Sequence, residues 1–259
     1  MTTERAYADL PCSGCAARSA TLCASLADDR LPLLYALADD RRVAPGEAFL
    51  VQEQPADWVF SLRSGHAALT RLTDGGKRQI LAFLFPGDFF GLTSEDRYHY
   101  GVTAITAATA CRFDRARLED LARRFPAMDR KLRFTLTRAM DASFELLFSL
   151  GRKDAVQKVA SFIWYVGYRG RKLGAPGNRV HLPMRRADIA DFLGLTTETV
   201  SRALTRLRKM GVIELVGTAD VRIGDAAALR AIGIVVAEPA PFIHADPDYY
   251  PRKDPRKGR

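Results

Sequence analysis

Met184-Arg185-Arg186-Ala187-Asp188-Ile189-Ala190-Asp191-Phe192-Leu193-Gly194-Leu195-Thr196-Thr197-Glu198-Thr199-Val200-Ser201-Arg202-Ala203-Leu204-Thr205-Arg206-Leu207 is the stretch from which the chain is read. A first helix buries Ile189, Ala190 and Leu193, which recur at the spacing of one helical face. Gly194 supplies a tight turn, because a residue without Cβ enters left-handed backbone at no steric cost. Thr196 is placed to cap a second helix by accepting one of its free backbone N–H groups. At about 100° per residue, Val200, Ala203, Leu204 and Leu207 share one face of that helix, and Glu198, Ser201, Arg202 and Thr205 share the opposite one. One face seats on a core. The other offers a carboxylate, a hydroxyl and a guanidinium.

That polar set suits the base edges of a DNA major groove. Arg202 can donate two bonds to guanine O6 and N7, Glu198 can accept from cytosine N4, and Ser201 can meet either kind of edge or a thymine methyl. Thr197 and Arg206 complete the candidate DNA-contacting set. Glu198 also stands four residues before Arg202, so its carboxylate is placed to hold the guanidinium. An exposed helix with one such ion pair is the plainer reading. The small-residue turn, the capping Thr and a following hairpin, Ile213 to Val216 and Val221 to Ile223 about Gly217-Thr218, favour a winged helix-turn-helix instead. Arg185, Arg186, Arg206, Arg208 and Lys209 flank the second helix, either as phosphate contacts, whose binding would weaken with salt, or as solvated charge.

The rest of the chain is consistent with such a role. It has 259 residues, a formal charge of +9, 47% hydrophobic residues and 27% charged ones. This composition excludes a disordered or collagen-like chain, and the positive balance favours a polyanionic partner. No uncharged apolar run is long enough to span a membrane, and no signal peptide is visible, so a cytoplasmic protein without membrane contact is expected. Between residues 41 and 113, short apolar runs (Phe49–Val51, Trp58–Leu62, Ala67–Thr70, Ile80–Leu84, Val102–Thr106) alternate with Pro45-Gly46, Ser64-Gly65, Asp74-Gly75-Gly76 and Pro86-Gly87-Asp88, the punctuation of a β-barrel or sandwich. From Arg115 the period becomes helical. Leu132, Leu136, Met140, Phe144 and Leu147 form one apolar stripe on a long helix ending near Gly151, suited to pairing with a copy of itself or to packing on its own β-domain. The expected organisation is α+β: a cysteine-bearing segment (1–28), a β-domain (29–114), a dimerisation helix (115–151), a winged helix-turn-helix domain (152–233) and a flexible basic tail (234–259).

Leu193-Gly194-Leu195-Thr196-Thr197-Glu198-Thr199-Val200-Ser201-Arg202 resembles the recognition helix of the CRP/FNR transcription regulators, and its E-x-x-S-R pattern resembles their FNR-like, FnrN/FixK-like branch. Pro86-Gly87-Asp88-Phe89-Phe90-Gly91 is similar to the family's β-roll motif, and Leu150-Gly151-Arg152-Lys153-Asp154-Ala155 to the junction after its dimer helix; the likeness runs from residue 12 to about 233. The resemblance implies a double-stranded β-helix (β-roll) sensor of the cyclic-nucleotide-binding kind, a dimerising helix, and two winged domains reading TTGAT-like inverted half-sites roughly 34 Å apart. It also implies contact with RNA polymerase, for which Asp74 to Lys77 is a candidate by position.

The cysteines read as C-x2-C-x7-C at Cys12, Cys15 and Cys23, with Cys111 far along the chain at the end of the last roll strand. Thiolates select iron–sulfur clusters, zinc or Cu(I), and four of them meet the count for a [4Fe–4S] cluster or structural zinc; four reduced, metal-free cysteines are the plain alternative. The resemblance implies the oxygen-labile [4Fe–4S] cluster, with Cys12, Cys15, Cys23 and Cys111 as its ligands. The interval from Cys15 to Cys23 is longer than in the best-known member but matches the FnrN/FixK-like branch. An intact cluster would order the N-terminal segment against the roll and the long helix and so favour the dimer. The alternative is the same DNA-binding dimer answering nitric oxide, haem or zinc, or needing no cofactor. A cyclic nucleotide is not expected. Leu92 stands where the family's ribose-binding Glu would, and Arg97 is followed by Tyr98-His99 rather than a hydroxyl residue. No enzyme is expected either, since His66, His99, His181 and His244 are scattered and no nucleophile elbow, P-loop or G-x-G-x-x-G occurs.

Overall fold

The computed structural model describes residues 10–174 and 177–234. The expected basic tail, but for Ile234, and His244 within it therefore lie outside the described residues.

After three 3-10 turns, Pro11–Gly14, Arg18–Ala20 and Leu22–Ser25, and a short helix α1 (Leu31–Tyr35), the chain enters strands β1 (Ala38–Val43), β2 (Ala48–Leu50), β3 (Trp58–Ser64), β4 (Ala67–Leu72), β5 (Arg78–Leu84), β6 (Phe89–Phe90), β7 (Gly101–Ala104) and β8 (Ala108–Asp114). Among the described residues they form two antiparallel four-stranded sheets, ordered β1-β8-β3-β6 and β2-β7-β4-β5, the two walls of a β-roll. Alternation decides which side chains fill the roll. Phe60 and Leu62 of β3 and Ala110 of β8 point inward to Phe49, Phe90, Val102 and Tyr98, while Val59 and Phe113 point outward to a separate apolar cluster. Inside, Phe60 stacks on Phe90 at 5.1 Å and Phe49 meets both rings edge-on. Gly91 closes the corner after β6. Its φ is +97°, and a Cβ there would stand 2.6 Å from the Trp58 carbonyl oxygen.

Helix α2 (Arg115–Arg124) starts on an Asp114 cap, whose carboxylate accepts from the Arg117 amide at 2.9 Å. Pro126 opens α3 (Pro126–Arg152). One side of it is covered along its length, with Met128, Thr135, Ala142 and Ser149 buried, whereas Leu136, Met140, Phe144, Leu147 and Phe148 are exposed. Asp154 and Gln157 form a capping box at the head of α4 (Ala155–Lys172). The remainder is β9 (Arg179–His181), α5 (Arg186–Leu193), α6 (Thr197–Lys209), β10 (Ile213–Val216), β11 (Asp220–Ile223) and α7 (Ala226–Ile232), with a small sheet ordered β10-β11-β9.

One apolar core joins the two halves. Phe83 of β5 packs on Phe162 of α4 and Phe192 of α5, at ring separations of 5.7 and 5.2 Å, so the helical domain is seated on the second sheet of its own roll. At the same seam Arg78 of β5 donates to Asp188 (2.9 Å) and Asp191 (3.1 Å) of α5. Deeper in, Arg169 of α4 donates to Asp88 at 2.7 Å, with both side chains fully buried. Among the described residues no helix is long and apolar enough to cross a membrane.

Candidate DNA-reading helix and thiol site

Helix α6 owes its position to local chemistry. Gly194 ends α5 in left-handed backbone (φ 63°), and the Leu195 amide returns to the Ala190 carbonyl at 2.9 Å. Thr196 caps α6, its hydroxyl accepting from the Thr199 amide at 3.2 Å. Val200, Ala203, Leu204 and Leu207 are buried in the core shared with α4. Thr197, Glu198, Ser201, Arg202 and Arg206 are all exposed. Ser201, Arg202, Thr205, Arg206 and Lys209 line one shallow open hollow on the same side. Ser201 and Thr205 hydroxyls donate back to the carbonyls of Thr197 and Ser201, at 2.9 and 3.0 Å, which fixes their rotamers.

The Glu198–Arg202 ion pair that the spacing allows is not formed. The guanidinium reaches Thr199 Oγ1 at 3.4 Å instead. Glu198's own amide and the Thr196 hydroxyl hold its carboxyl below the ordinary range, so the acceptor is ionised and free to face outward. Helix α6 thus presents an acceptor and a donor on its exposed face that are held by its own cap residues rather than by each other.

The cysteines gather at the other sheet. Cys111 lies in the middle of β8 rather than at its end, because β8 runs on to Asp114. Its register partners are Asp40 on β1 and Ser61 on β3. With Cys23 it packs against the cluster formed by Leu22, Leu26, Val59, Phe113, Leu121 and Met128. The N-terminal turns therefore lie on the outer face of the β1-β8-β3-β6 sheet and reach the start of α3. No disulfide is formed by Cys12, Cys15, Cys23 or Cys111. Burial pushes the Cys111 thiol up to about 12, Cys23 and Cys12 add to that, and Arg63 opposes it. Burial, then Cys23 and Cys15, likewise raise the Cys12 thiol. As they stand, no three His, Cys, Asp or Glu side chains among the described residues are close enough to hold a metal ion. The donor set suits a soft metal or an iron–sulfur group, and closing it would require the N-terminal turns to draw in.

Two tyrosines belong to the packing of the roll. Tyr98 donates to the Trp58 carbonyl and accepts from its amide at 3.1 Å, and Tyr100 donates to the Leu92 carbonyl at 2.9 Å. Sequence reasoning had no means of finding the Asp88–Arg169 and Arg78–Asp188 links; their members lie 81 and 110 residues apart. The same holds for Arg63, the bulged residue of β3 beside the thiols.

A Crp-like helix-turn-helix domain profile matches residues 157–232, and a cyclic nucleotide-binding domain profile matches residues 40–125. Over 219 residues the chain is 37% identical to the transcriptional activatory protein AadR of Rhodopseudomonas palustris, an alignment covering 82% of this chain and 91% of that protein. The chain belongs to the CRP/FNR family of transcription regulators. Other CRP/FNR relatives include the nitrogen fixation regulation protein FixK of Bradyrhizobium diazoefficiens, 35% identical over 79% of this chain and 86% of that one. The transcriptional activator protein FnrL of Cereibacter sphaeroides is 32% identical over 84% and 90%. Among solved structures, FixK2 from Bradyrhizobium japonicum superposes with a TM-score of 0.71 at 31% identity, covering 77% of this chain and 99% of that one. The β-roll, the long α3 and the helix-turn-helix of this chain are accordingly those of a CRP/FNR regulator, and α6 is the second helix of its helix-turn-helix.

Proposed function

We propose that this CRP/FNR regulator is a cytoplasmic transcriptional activator that binds TTGAT-like inverted repeats as a homodimer and answers oxygen or redox state through a [4Fe–4S] cluster. The observation that carries the DNA reading is α6 itself, with its apolar face buried and Thr197, Glu198, Ser201, Arg202 and Arg206 turned to solvent. The exposed stripe on α3 supports the dimer, since Leu136, Met140, Phe144 and Leu147 would cost free energy if left in water. A second copy along that stripe places two reading helices for successive major grooves.

Cys12, Cys15, Cys23 and Cys111 would hold the cluster as thiolates. When bound, the group supplies a cross-link between the N-terminal turns and β8 that oxygen can remove. The chain's own residues transmit the consequence. Leu22 and Leu26, beside Cys23, pack against Met128 and Leu132 at the start of α3, so ordering the turns stiffens the helix on which the dimer forms. We expect no cyclic nucleotide to bind, given Leu92 and the tyrosine-filled roll. The exposed hairpin tip Asp74–Lys77 is the surface proposed for RNA polymerase.

Anaerobic purification tests the sensing half. A brown protein containing iron and sulfide, bleached by air, is the expected result. A colourless protein with stoichiometric zinc would replace the cluster by a zinc site, and one free of metal would leave a regulator with another signal. For the DNA half, Arg202→Ala should weaken binding to the specific site by about 1–3 kcal/mol and relax preference at one guanine. An equal loss on random DNA would reduce Arg202 to a phosphate contact.

A further inference from the structure

We propose that Thr199 is a positioning residue of helix α6, its hydroxyl holding the Arg202 guanidinium apart from Glu198 and so sharpening the choice of base; this rests on the DNA-reading role proposed for α6 above. Thr199 stands three residues before Arg202 and is therefore its neighbour on the helix surface. It is half-buried, whereas Glu198, Ser201 and Arg202 are exposed, so it lies behind the side chains offered to a base edge rather than among them. Arg202 Nη2 donates to Thr199 Oγ1 at 3.4 Å. Thr199 Oγ1 is in turn 2.9 Å from Thr196 Oγ1. Thr196 accepts from the Thr199 amide at 3.2 Å, and its hydroxyl serves the Glu198 carboxylate.

The ends of this chain fix the order of its protons. A guanidinium has only hydrogens to give, and an ionised carboxylate only lone pairs. Thr199 Oγ1 accepts from Arg202, the Thr199 hydroxyl donates to Thr196 Oγ1, and the Thr196 hydroxyl donates to Glu198. The two charged side chains are joined through two hydroxyls instead of directly, and each hydroxyl polarises the next. A direct pair between residues four apart would have to break before either member could meet a base. The relay leaves both facing outward. The guanidinium commits one of its five N–H groups to Thr199 and keeps four, enough for the two acceptors on a guanine edge. A long side chain loses rotamer freedom when it binds, and one already held loses less.

The test compares the full-length wild type with Thr199→Val and Thr199→Ser. Valine replaces the hydroxyl by a methyl of like shape and keeps the backbone amide that Thr196 caps; serine keeps the hydroxyl. Fluorescence anisotropy measures binding to a duplex carrying a TTGAT inverted repeat, to its single-base variants, and to an unrelated duplex of equal length at the same salt, while urea unfolding follows stability. Thr199→Val should bind the repeat about three- to tenfold more weakly, with the lost discrimination confined to the guanine position, and Thr199→Ser should stay within about twofold of wild type. An equal loss on the unrelated duplex would make Thr199 a phosphate contact. A loss spread evenly over all single-base variants, with a lower unfolding midpoint, would make it a structural residue. Either result, or an unchanged Thr199→Val, overturns the proposal and leaves the DNA-reading role of α6 standing. A wild type without preference for the repeat removes the base-reading role instead. The relay is then decided without DNA, by NMR measurement of rotation about the Arg202 Cζ–Nε bond, which Thr199→Val should speed and Thr199→Ser should not; rotation unchanged by valine overturns the proposal. Should Thr199→Val fail to fold, Thr199→Ala decides by the same signs.

Discussion

Arg169→Met is the substitution whose cost the structure sets most directly. Asp88 and Arg169 have no exposed side-chain surface. The Asp88 carboxylate accepts from Arg169 Nη2 at 2.7 Å and from the Phe85 amide at 2.8 Å. Arg169 also donates to the Tyr165 hydroxyl at 3.2 Å and lies 4.8 Å over the Phe85 ring. Burial pushes the Asp88 carboxyl up, while Arg169 and the Phe85 amide pull it down. Asp88 in turn holds the Arg169 charge against burial. The two tendencies point opposite ways for Asp88, and the two short bonds to it support the ionised pair. Methionine keeps the bulk of the arginine stem and removes the charge, leaving a carboxylate with one amide donor and no counter-ion. Breaking a buried pair in this way costs about 3–5 kcal/mol, a large part of the 5–15 kcal/mol typical of a folded protein. Asp88→Asn in the Arg169→Met background removes the stranded charge while keeping an acceptor for Phe85, so the double variant should recover at least half of the loss. Urea unfolding read by tryptophan fluorescence is the natural assay, because Trp58 lies in the roll and Trp164 in α4. In wild type the two should report together. In Arg169→Met the Trp164 signal should change first. A loss under about 1 kcal/mol, or a double variant worse than the single one, would refute the reasoning and mean that the roll and the helical domain are not docked through this pair in solution.

Three further outcomes follow from local geometry. Gly91→Ala forces a Cβ to 2.6 Å from the Trp58 carbonyl oxygen at φ +97° and should cost about 2–4 kcal/mol in urea unfolding. His66 sits at the seam, its ring edge-on to Phe85, and burial, then the charges of His181 and Arg169, lower it from 6.5 to about 4. Below pH 6.5 the unfolded chain binds this proton and the folded one does not, so stability falls between pH 6.5 and 4 by about 3 kcal/mol, a slope that His66→Gln should remove. Phe144→Asp, at a position 57% exposed, should leave unfolding of the single chain within about 0.5 kcal/mol of wild type yet abolish the dimer in sedimentation velocity; a dimer that survives would relocate the interface.

Features whose partners are local were legible from the sequence. Helix α6, its Thr196 cap, the Gly194 turn and the hairpin that follows all depend on residues within a few positions of one another. The strands with apolar runs were visible for the same reason. Strand β1 was not, because it is the edge of its sheet and carries Asp39-Asp40-Arg41-Arg42 outward, with no alternation to read. Strand β6, only Phe89–Phe90, is too short to show a period. Arg169 resembles any arginine near the end of an amphipathic helix, since what makes it special is a carboxylate on a turn of the roll. The unformed Glu198–Arg202 pair has a different cause: cap geometry gives each side chain a nearer partner than the other.

The links between roll and helical domain bear on how the proposed signal at the thiols would matter for DNA. The thiols lie on the β1-β8-β3-β6 sheet, and the helical domain is seated on the other one, through Phe83, Arg78 and the buried Asp88–Arg169 pair. The roll between them is close-packed with Phe49, Phe60 and Phe90, and a packed core of this kind does not deform continuously. What the thiol segment touches directly is the start of α3, at Met128 and Leu132. At its other end, α3 brings Leu150 against Gly194, where a Cβ would meet it at 3.7 Å, directly before the reading helix. In the proposed dimer, with α6 seated on its own roll, the spacing of the two α6 helices would be set by how two copies of α3 meet. Under the proposed function, a sensor that biases only that association would switch DNA binding without any rearrangement inside the helix-turn-helix, because a single α6 would contact one half-site and a pair would contact both.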